Sequence, residues 1–196
     1  MNNQVTTKTV IGVVRFSYVH VFEPWKASNN DNPRYSATLL IPKSDVKTLN
    51  AVKACIQAAY EKAVSEKWGG KRPAKWHNPL QDGDQPKDDG ESRGDAYKGH
   101  WYINAKSSSR PGVVNASRQP IVDSEEFYSG CYGYASINFS GFINSGNMGI
   151  SCFLNNLMKT KDGDALGSGH SSAEDDFANI EIPFEAPDNN GGGLVF

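Results

Sequence analysis

Three parts of the chain set aromatic rings beside cations or amides. In CYGYASINFSGFI, Tyr132, Tyr134 and Phe142 share one side of a period-two alternation with Ser136, Asn138 and Ser140, and Cys131, Ala135, Ile137, Phe139 and Ile143 share the other. In WYINAKS, Tyr102, Asn104 and Lys106 alternate in the same way with Trp101, Ile103 and Ala105. Trp76 and His77 sit among Lys71, Arg72 and Lys75, and Trp25 precedes Lys26 in a loop rich in Asn. Rings on a strand with small polar neighbours can stack nucleic-acid bases, because every base has a π-face, and Lys and Arg can neutralise the phosphates. The same rings can instead lie under a helix or a loop, as outer strand faces often do, and Trp25 can equally cap a core. The residues alone leave both readings open. Arg15, inside the apolar run VIGVVRFSYVHVF, either pairs with an acid or points at a groove.

Other chemistry lacks its residues. His20, His77, His100 and His170 are scattered, with no HxH, HExxH or Cys/His spacing, so no metal is expected. No GxxxxGKS/T phosphate loop, strand-linked GxGxxG or GxSxG elbow occurs. Asp82-Gly83-Asp84 and Asp162-Gly163-Asp164 lack the remaining spacing of a calcium loop. The reading is therefore of a protein without catalytic residues or cofactor. Cys55, Cys131 and Cys152 are odd in number and form no CxxC pair, which argues against a disulfide framework or a zinc site. Cys131 and Cys152 fall on the two arms of a hairpin, where reduced core thiols are expected. MNNQVTTKTV carries no apolar leader, and no run is long enough to span a membrane. These features predict a soluble protein of a reducing compartment.

The net charge of −2 conceals a split. Residues 1–161 hold all 20 Lys and Arg and 14 of the 22 Asp and Glu, a net +6, whereas residues 162–196 hold the other eight acids and no Lys or Arg, a net −8. A basic body joined to an acidic tail fits a polyanion-binding body with an interaction tail, or a tail that only solubilises.

The elements that must position these groups are mostly strands. Val10 to Phe22 and Arg34 to Ile41 are rich in β-branched and aromatic residues. Pro24 and Pro33 punctuate the loop between them. After Pro42, Ser44 or Asp45 can cap a helix whose apolar residues Val46, Leu49, Val52, Ile56, Ala59 or Tyr60, and Ala63 recur at helical spacing up to Gly69-Gly70. Residues 71–100 read as a long polar excursion, with an acidic stretch from Asp82 to Glu91 at its tip. A strand over 101–106 follows, then a long hairpin turning at Asn144-Ser145-Gly146-Asn147. After Lys161, GDALGSGHSSAEDD reads as a flexible linker, and FANIEIPFEAPDNNGGGLVF ends the chain on Leu194-Val195-Phe196. No internal repeat occurs.

Several blocks, in this order, resemble a known family: VRFSYVHVFEP, RYSATLLIPKSD followed by the helix, WYINAKSSSRPGVV, FYSGCYGYASINFSGF and GNMGISCFLNNLMKTKDGDALG. They look like a family of bacteriophage single-stranded DNA-binding proteins of OB-fold type, long known only as a domain of unknown function. The likeness covers roughly residues 8–167. It implies a mainly β protein: a five-stranded antiparallel OB barrel with one helix between strands over residues 1–161, and a disordered acidic C-terminal tail over 162–196. The strands near 10–22, 34–41, 101–106, 130–143 and 148–157 and the helix near 45–68 agree with that count.

The resemblance also implies a function in phage DNA replication or recombination in the cytoplasm of an infected bacterium, with single-stranded DNA as partner and no sequence preference. Lys26, Arg34, Lys43, Lys75, Lys106 and Arg110 are the expected phosphate contacts, and Trp76, Tyr102, Tyr132, Tyr134 and Phe142 the expected base contacts. The tail, with Asp175, Asp176, Phe184 and Phe196, is expected to compete for the DNA cleft and to recruit phage or host replication proteins. Replicative single-strand binders end similarly in acids followed by Phe, although here Gly191 to Gly193 separate the acids from Leu194-Val195-Phe196. Two alternatives are an RNA-binding or strand-annealing protein on the same fold, and a phage protein-interaction module without nucleic-acid binding.

Overall fold

The period-two stretches form strands and the capped apolar repeat forms a helix. The computed structural model describes residues 6–26, 28–29 and 31–167; the expected tail contacts Asp175, Asp176, Phe184 and Phe196 lie outside the described residues. In chain order the elements are β1 (Lys8–Trp25), β2 (Arg34–Pro42), α1 (Val46–Glu66), β3 (Leu80–Asp82), β4 (His100–Ser107), β5 (Gly112–Val114), β6 (Tyr132–Asn144) and β7 (Asn147–Lys161), with a 3-10 turn at Asp95–Tyr97 before β4.

β1 pairs with β2 and with β6, β2 with β4, and β6 with β7, all antiparallel. The circle closes where β4 meets β7, Ala105 opposite Cys152 and Lys106 opposite Phe153, and this pair is parallel. Five strands thus form a closed barrel, which leaves none of them a full exposed edge. Short β5 continues along the same edge of β7, pairing Gly112 to Val114 with Asn156 to Met158 in parallel. The inner faces supply one continuous core that includes Phe16, Leu39, Ile103, Ile137, Phe139, Ile150 and Leu157. Phe127, from the loop before β6, is buried against Phe16, ring centroids 4.9 Å apart.

α1 starts where Asp45 accepts a hydrogen bond from the Thr48 backbone N–H at 3.0 Å, filling one of the orphan donors of the first turn. Leu49, Val52, Ile56, Ala59 and Ala63 are buried as their spacing predicts, whereas Val46 is exposed. The helix packs closely on β6, for a Cβ on Gly141 would run into the Cβ of Ala63. Beyond the helix, Gly69 and Gly70 take positive φ values of 59° and 79° that L side chains rarely adopt.

The polar excursion 71–100 contains more structure than its composition predicts. β3 pairs with β4 over Leu80 to Asp82, on the same edge that Ala105 and Lys106 offer to β7. Just before it, the His77 N–H donates to the Met148 carbonyl and the Ile150 N–H donates to the His77 carbonyl, both at 3.0 Å. Residues 77–82 therefore fill the gap where β4 and β7 diverge. The three cysteines are buried and free. Cys152 faces Phe139, while Cys131 precedes Tyr132, the partner of Lys161, so the two hairpin thiols lie far apart along the arms.

The acidic segment 162–166 is bonded to the barrel. Asp162 receives Lys159 at 2.7 Å and the Tyr128 hydroxyl at 2.9 Å, and the Leu166 N–H donates to the Ser129 carbonyl at 2.7 Å. Among the described residues Arg15 neither pairs with an acid side chain nor lines the groove described below. Its guanidinium donates to the carbonyls of Gly130 at 3.2 Å and Asp164 at 2.8 Å, and lies 5.4 Å from the centre of the Tyr132 ring.

Candidate nucleic-acid interface

On the outer face of the barrel, alternation turns Arg34, Ser36 and Thr38 of β2, Asn104 and Lys106 of β4, and Ser151 and Phe153 of β7 the same way. Four hollows there share lining residues and run into one another. The central one, about 600 Å³, is bounded by Trp25, Lys26, Asp31, Arg34, Lys106, Phe142 and Ser151. Through Trp25, Ser36 and Lys106 it continues to a recess floored by Tyr102 and Tyr97 and flanked by Tyr18, His20, Lys87 and Arg93. Through Arg34, Lys106 and Ser151 it continues over Gln81, His77 and Phe153. Through Phe142 and His77 it reaches Lys75, Trp76 and Met148 at the β6–β7 turn.

Among the described residues this groove is lined by six cationic side chains, Lys26, Arg34, Lys75, Lys87, Arg93 and Lys106, and by one carboxylate, Asp31. Lys87 is paired with Glu91 at 3.2 Å. Among the described residues no carboxylate comes within ion-pair distance of Lys26, Arg34, Lys75 or Lys106. Clustered like charges without counter-charges are costly to the free protein and favour an anionic ligand.

Of the eleven residues expected from sequence to bind, seven line the groove: Lys26, Arg34, Lys75, Trp76, Tyr102, Lys106 and Phe142. Lys43, Arg110, Tyr132 and Tyr134 do not. Lys43 is held between Asp82 and Asp84 above the Trp101 ring. This pairing raises the Lys43 pKa and holds both carboxylates below their usual range. Arg110 lies over Phe22, 5.6 Å from its ring centre. Tyr132 is flanked by Arg15 and Lys161, and Tyr134 packs over Gly12 on the N-terminal half of β1.

Tyr102 reaches the groove differently from the expectation of an open ring. It is only 5% exposed, with Tyr97 edge-on at 5.2 Å and the Arg93 guanidinium 5.0 Å above it. Residues 83–99 fold back over this part of β4, so Leu40, Tyr97 and Tyr102 form a second small apolar cluster outside the barrel. Burial raises the Tyr102 phenol pKa, against the opposing pull of Arg93.

Sequence reasoning missed Lys87, Arg93, His20 and Phe153. Lys87 sits in the acidic stretch from Asp82 to Glu91 and Arg93 just beyond it, and only the fold-back of this part of the polar excursion aims them at the groove. Phe153 carried a usable signal, because it is the large apolar residue on the outward side of the β7 alternation. Trp25 proves not to be a core cap: it is 53% exposed and stacked on His20, ring centroids 5.3 Å apart and planes 16° apart. Burial lowers the His20 pKa, which favours a neutral imidazole in that stack.

Comparisons with known proteins converge on one group. Residues 7–187 match the family described as Enterobacter phage Enc34, ssDNA-binding protein. Putative protein p50 of Acyrthosiphon pisum secondary endosymbiont phage 1 is 31% identical over 188 residues, 91% of this chain and 96% of that protein. The structure of the single-stranded DNA-binding protein from bacteriophage Enc34 in complex with ssDNA superposes with a TM-score of 0.69 at 29% identity, covering 82% of this chain and 90% of that one. Gp2.5, a single-stranded DNA-binding protein encoded by bacteriophage T7, shares the fold at a TM-score of 0.60 and 14% identity, over 86% of this chain and 99% of that one. With a family match spanning the whole barrel from β1 to β7, the chain belongs to the phage Enc34 ssDNA-binding protein family.

Proposed function

We propose that this chain binds single-stranded DNA without sequence preference in the groove across β2, β4 and β7, and that it does so during phage DNA replication or recombination in the cytoplasm of the infected bacterium. The observation that carries this reading is the continuous groove lined, among the described residues, by six cations and one carboxylate. Lys26, Arg34, Lys75 and Lys106 hold the phosphates, and the release of condensed counterions drives a salt-dependent association. Phe142 and Trp76 offer ring surface to bases at the end near the β6–β7 turn, each stacked base contributing about 1–3 kcal/mol. A duplex hides its base faces, so the groove selects single strands. No step of this activity needs catalysis.

The tail acts on the same groove. Its six acids from Glu174 onward imitate a phosphate chain tethered at an effective concentration of about millimolar order, and therefore compete with DNA. Displaced by DNA, the tail offers Phe196 to replication proteins of the phage or host. The test of the DNA reading is titration of intrinsic Trp and Tyr fluorescence with oligo-dT across a range of salt, with oligo-U and duplex as competitors. Quenching that weakens with salt and resists both competitors is expected. No quenching and no salt slope overturn it.

A further inference from the structure

Two exposed rings in the groove stand in the same relation to a cation. Trp25 lies directly opposite Arg34 across the β1–β2 pair, and Phe153 lies directly opposite Lys106 across the parallel β4–β7 pair. Ser36, two residues from Arg34 on the same face, is in turn opposite Lys106. The outer surface therefore reads ring, cation, cation, ring across four adjacent strands. Diagonal neighbours on a sheet lie about 7–8 Å apart, so Arg34 and Lys106 are close enough to serve one stretch of backbone.

Solvent-exposed large rings on strand faces carry a hydration cost that cores avoid. Trp25 is 53% exposed and Phe153 44% exposed, and both border hollows that also hold Arg34 and Lys106. Trp25 is braced from one side by the near-parallel His20 ring, which fixes its plane before any ligand arrives. A ring held in place loses little freedom on binding.

We infer that Trp25 and Phe153 are two base-stacking stations that bracket the Arg34–Lys106 phosphate contact, so that one strand must engage both to bind tightly. This rests on the reading of the groove as a single-stranded DNA site. Counted along the groove through β2 and β4, three strand spacings of about 4.8 Å separate β1 from β7, a path of about 15 Å over the curved surface between the stations. Adjacent bases cannot reach both. The smallest tight ligand is then about four nucleotides, the short end of the range for single OB folds. Stacking accepts any base, whereas the spacing fixes a minimum length.

The experiment uses the full chain and competes unlabelled dT2 to dT12 against a labelled dT20, for the wild type, Trp25→Ala, Phe153→Ala, the double variant, and the ring-retaining Trp25→Phe and Phe153→Tyr. Circular dichroism confirms that each variant is folded. For the wild type, affinity is expected to rise at least tenfold between dT2 and about dT4 or dT5, then gently. Each Ala variant is expected to lose about tenfold for dT12 and to flatten that rise, while its salt slope stays unchanged because no phosphate contact is lost. The ring-retaining variants are expected to recover most of the affinity. If the wild type binds no oligonucleotide, the DNA reading itself fails. If it binds but both Ala variants keep full affinity and the same length dependence, the two-station inference alone fails. It fails likewise if the Ala variants change only the oligomeric state, which would make the rings contacts between copies of the chain.

Discussion

Lys43 Nζ lies 2.5 Å from Asp82 Oδ1 and 2.6 Å from Asp84 Oδ2, tying the end of β2 to the turn after β3. A lysine so engaged has its charge already answered. Lys43→Ala is expected to leave affinity for oligo-dT within about twofold of wild type and its salt slope unchanged. Lys106→Ala, which removes a cation that no carboxylate among the described residues pairs, is expected to weaken binding at low salt and to reduce the slope of log K against log salt by about 0.7, the value for one phosphate of a single strand. A salt series by fluorescence anisotropy on both variants checks this. Equal losses in both would show that Lys43 leaves its carboxylates for DNA.

His20 titrates below the ordinary value of 6.5 because it is partly buried beside Trp25. The folded state therefore binds this proton less readily than the unfolded chain. Its contribution to stability is fully present above pH 6.5 and is lost as pH falls through the lowered value in the folded state. His20→Gln is expected to show a flatter fall in Tm between pH 7 and 5 than the wild type. Parallel curves for the two proteins would refute the assignment.

Gly141 is required by the approach of α1 to β6. A Cβ there meets the Ala63 Cβ at the heart of the contact. Gly141→Ala is expected to cost about 1–3 kcal/mol through overpacking, read as a lowered urea midpoint with unchanged m. Ala63→Gly in the same chain relieves the clash and is expected to return part of that loss, less about 1 kcal/mol for glycine inside a helix.

Where the tail is cut matters. Leu166 packs on the Leu40, Tyr97 and Tyr102 cluster, so a chain stopped near residue 161 disturbs the barrel as well as removing acids. A chain ending at Gly167 keeps Leu166 and loses the acids from Glu174 onward. If the tail competes for the groove, this chain is expected to bind oligo-dT more tightly than the full protein, most clearly at low salt. Unchanged affinity would leave the tail no more than a solubilising segment.

The barrel strands were legible because each has one buried face. Cys131, Ala135, Ile137 and Phe139 point inward in the alternation that the sequence displays, and Asp45 caps the helix as its position predicts. Closure was not legible, because it depends on two residue pairs between strands 47 residues apart in sequence, Ala105 with Cys152 and Lys106 with Phe153. Nor was β3, whose three residues are too few to show a period. The burial of Tyr102 had left a trace. Leu40, its partner on β2, breaks the polar outer side of RYSATLLI, and an apolar residue there needs a cover. What supplies the cover, residues 83–99, is polar and acidic, so composition pointed the other way. Asp82 and Asp84 likewise gave no sign that they would claim Lys43 across some 40 positions of chain.

The parallel contact that completes the barrel is the shortest of its five pairings, with two residue pairs. With so few ladder bonds between β4 and β7, a local fluctuation there is expected to separate the two edges while β4 stays paired with β2 and β7 with β6. A strand of DNA laid over Lys106 and Phe153 would act as a splint across this seam. Amide hydrogens of residues 105–106 and 152–153 are then expected to exchange markedly more slowly in the complex, while those at the centre of β6 change little. On this view the ligand secures the seam of the protein that holds it.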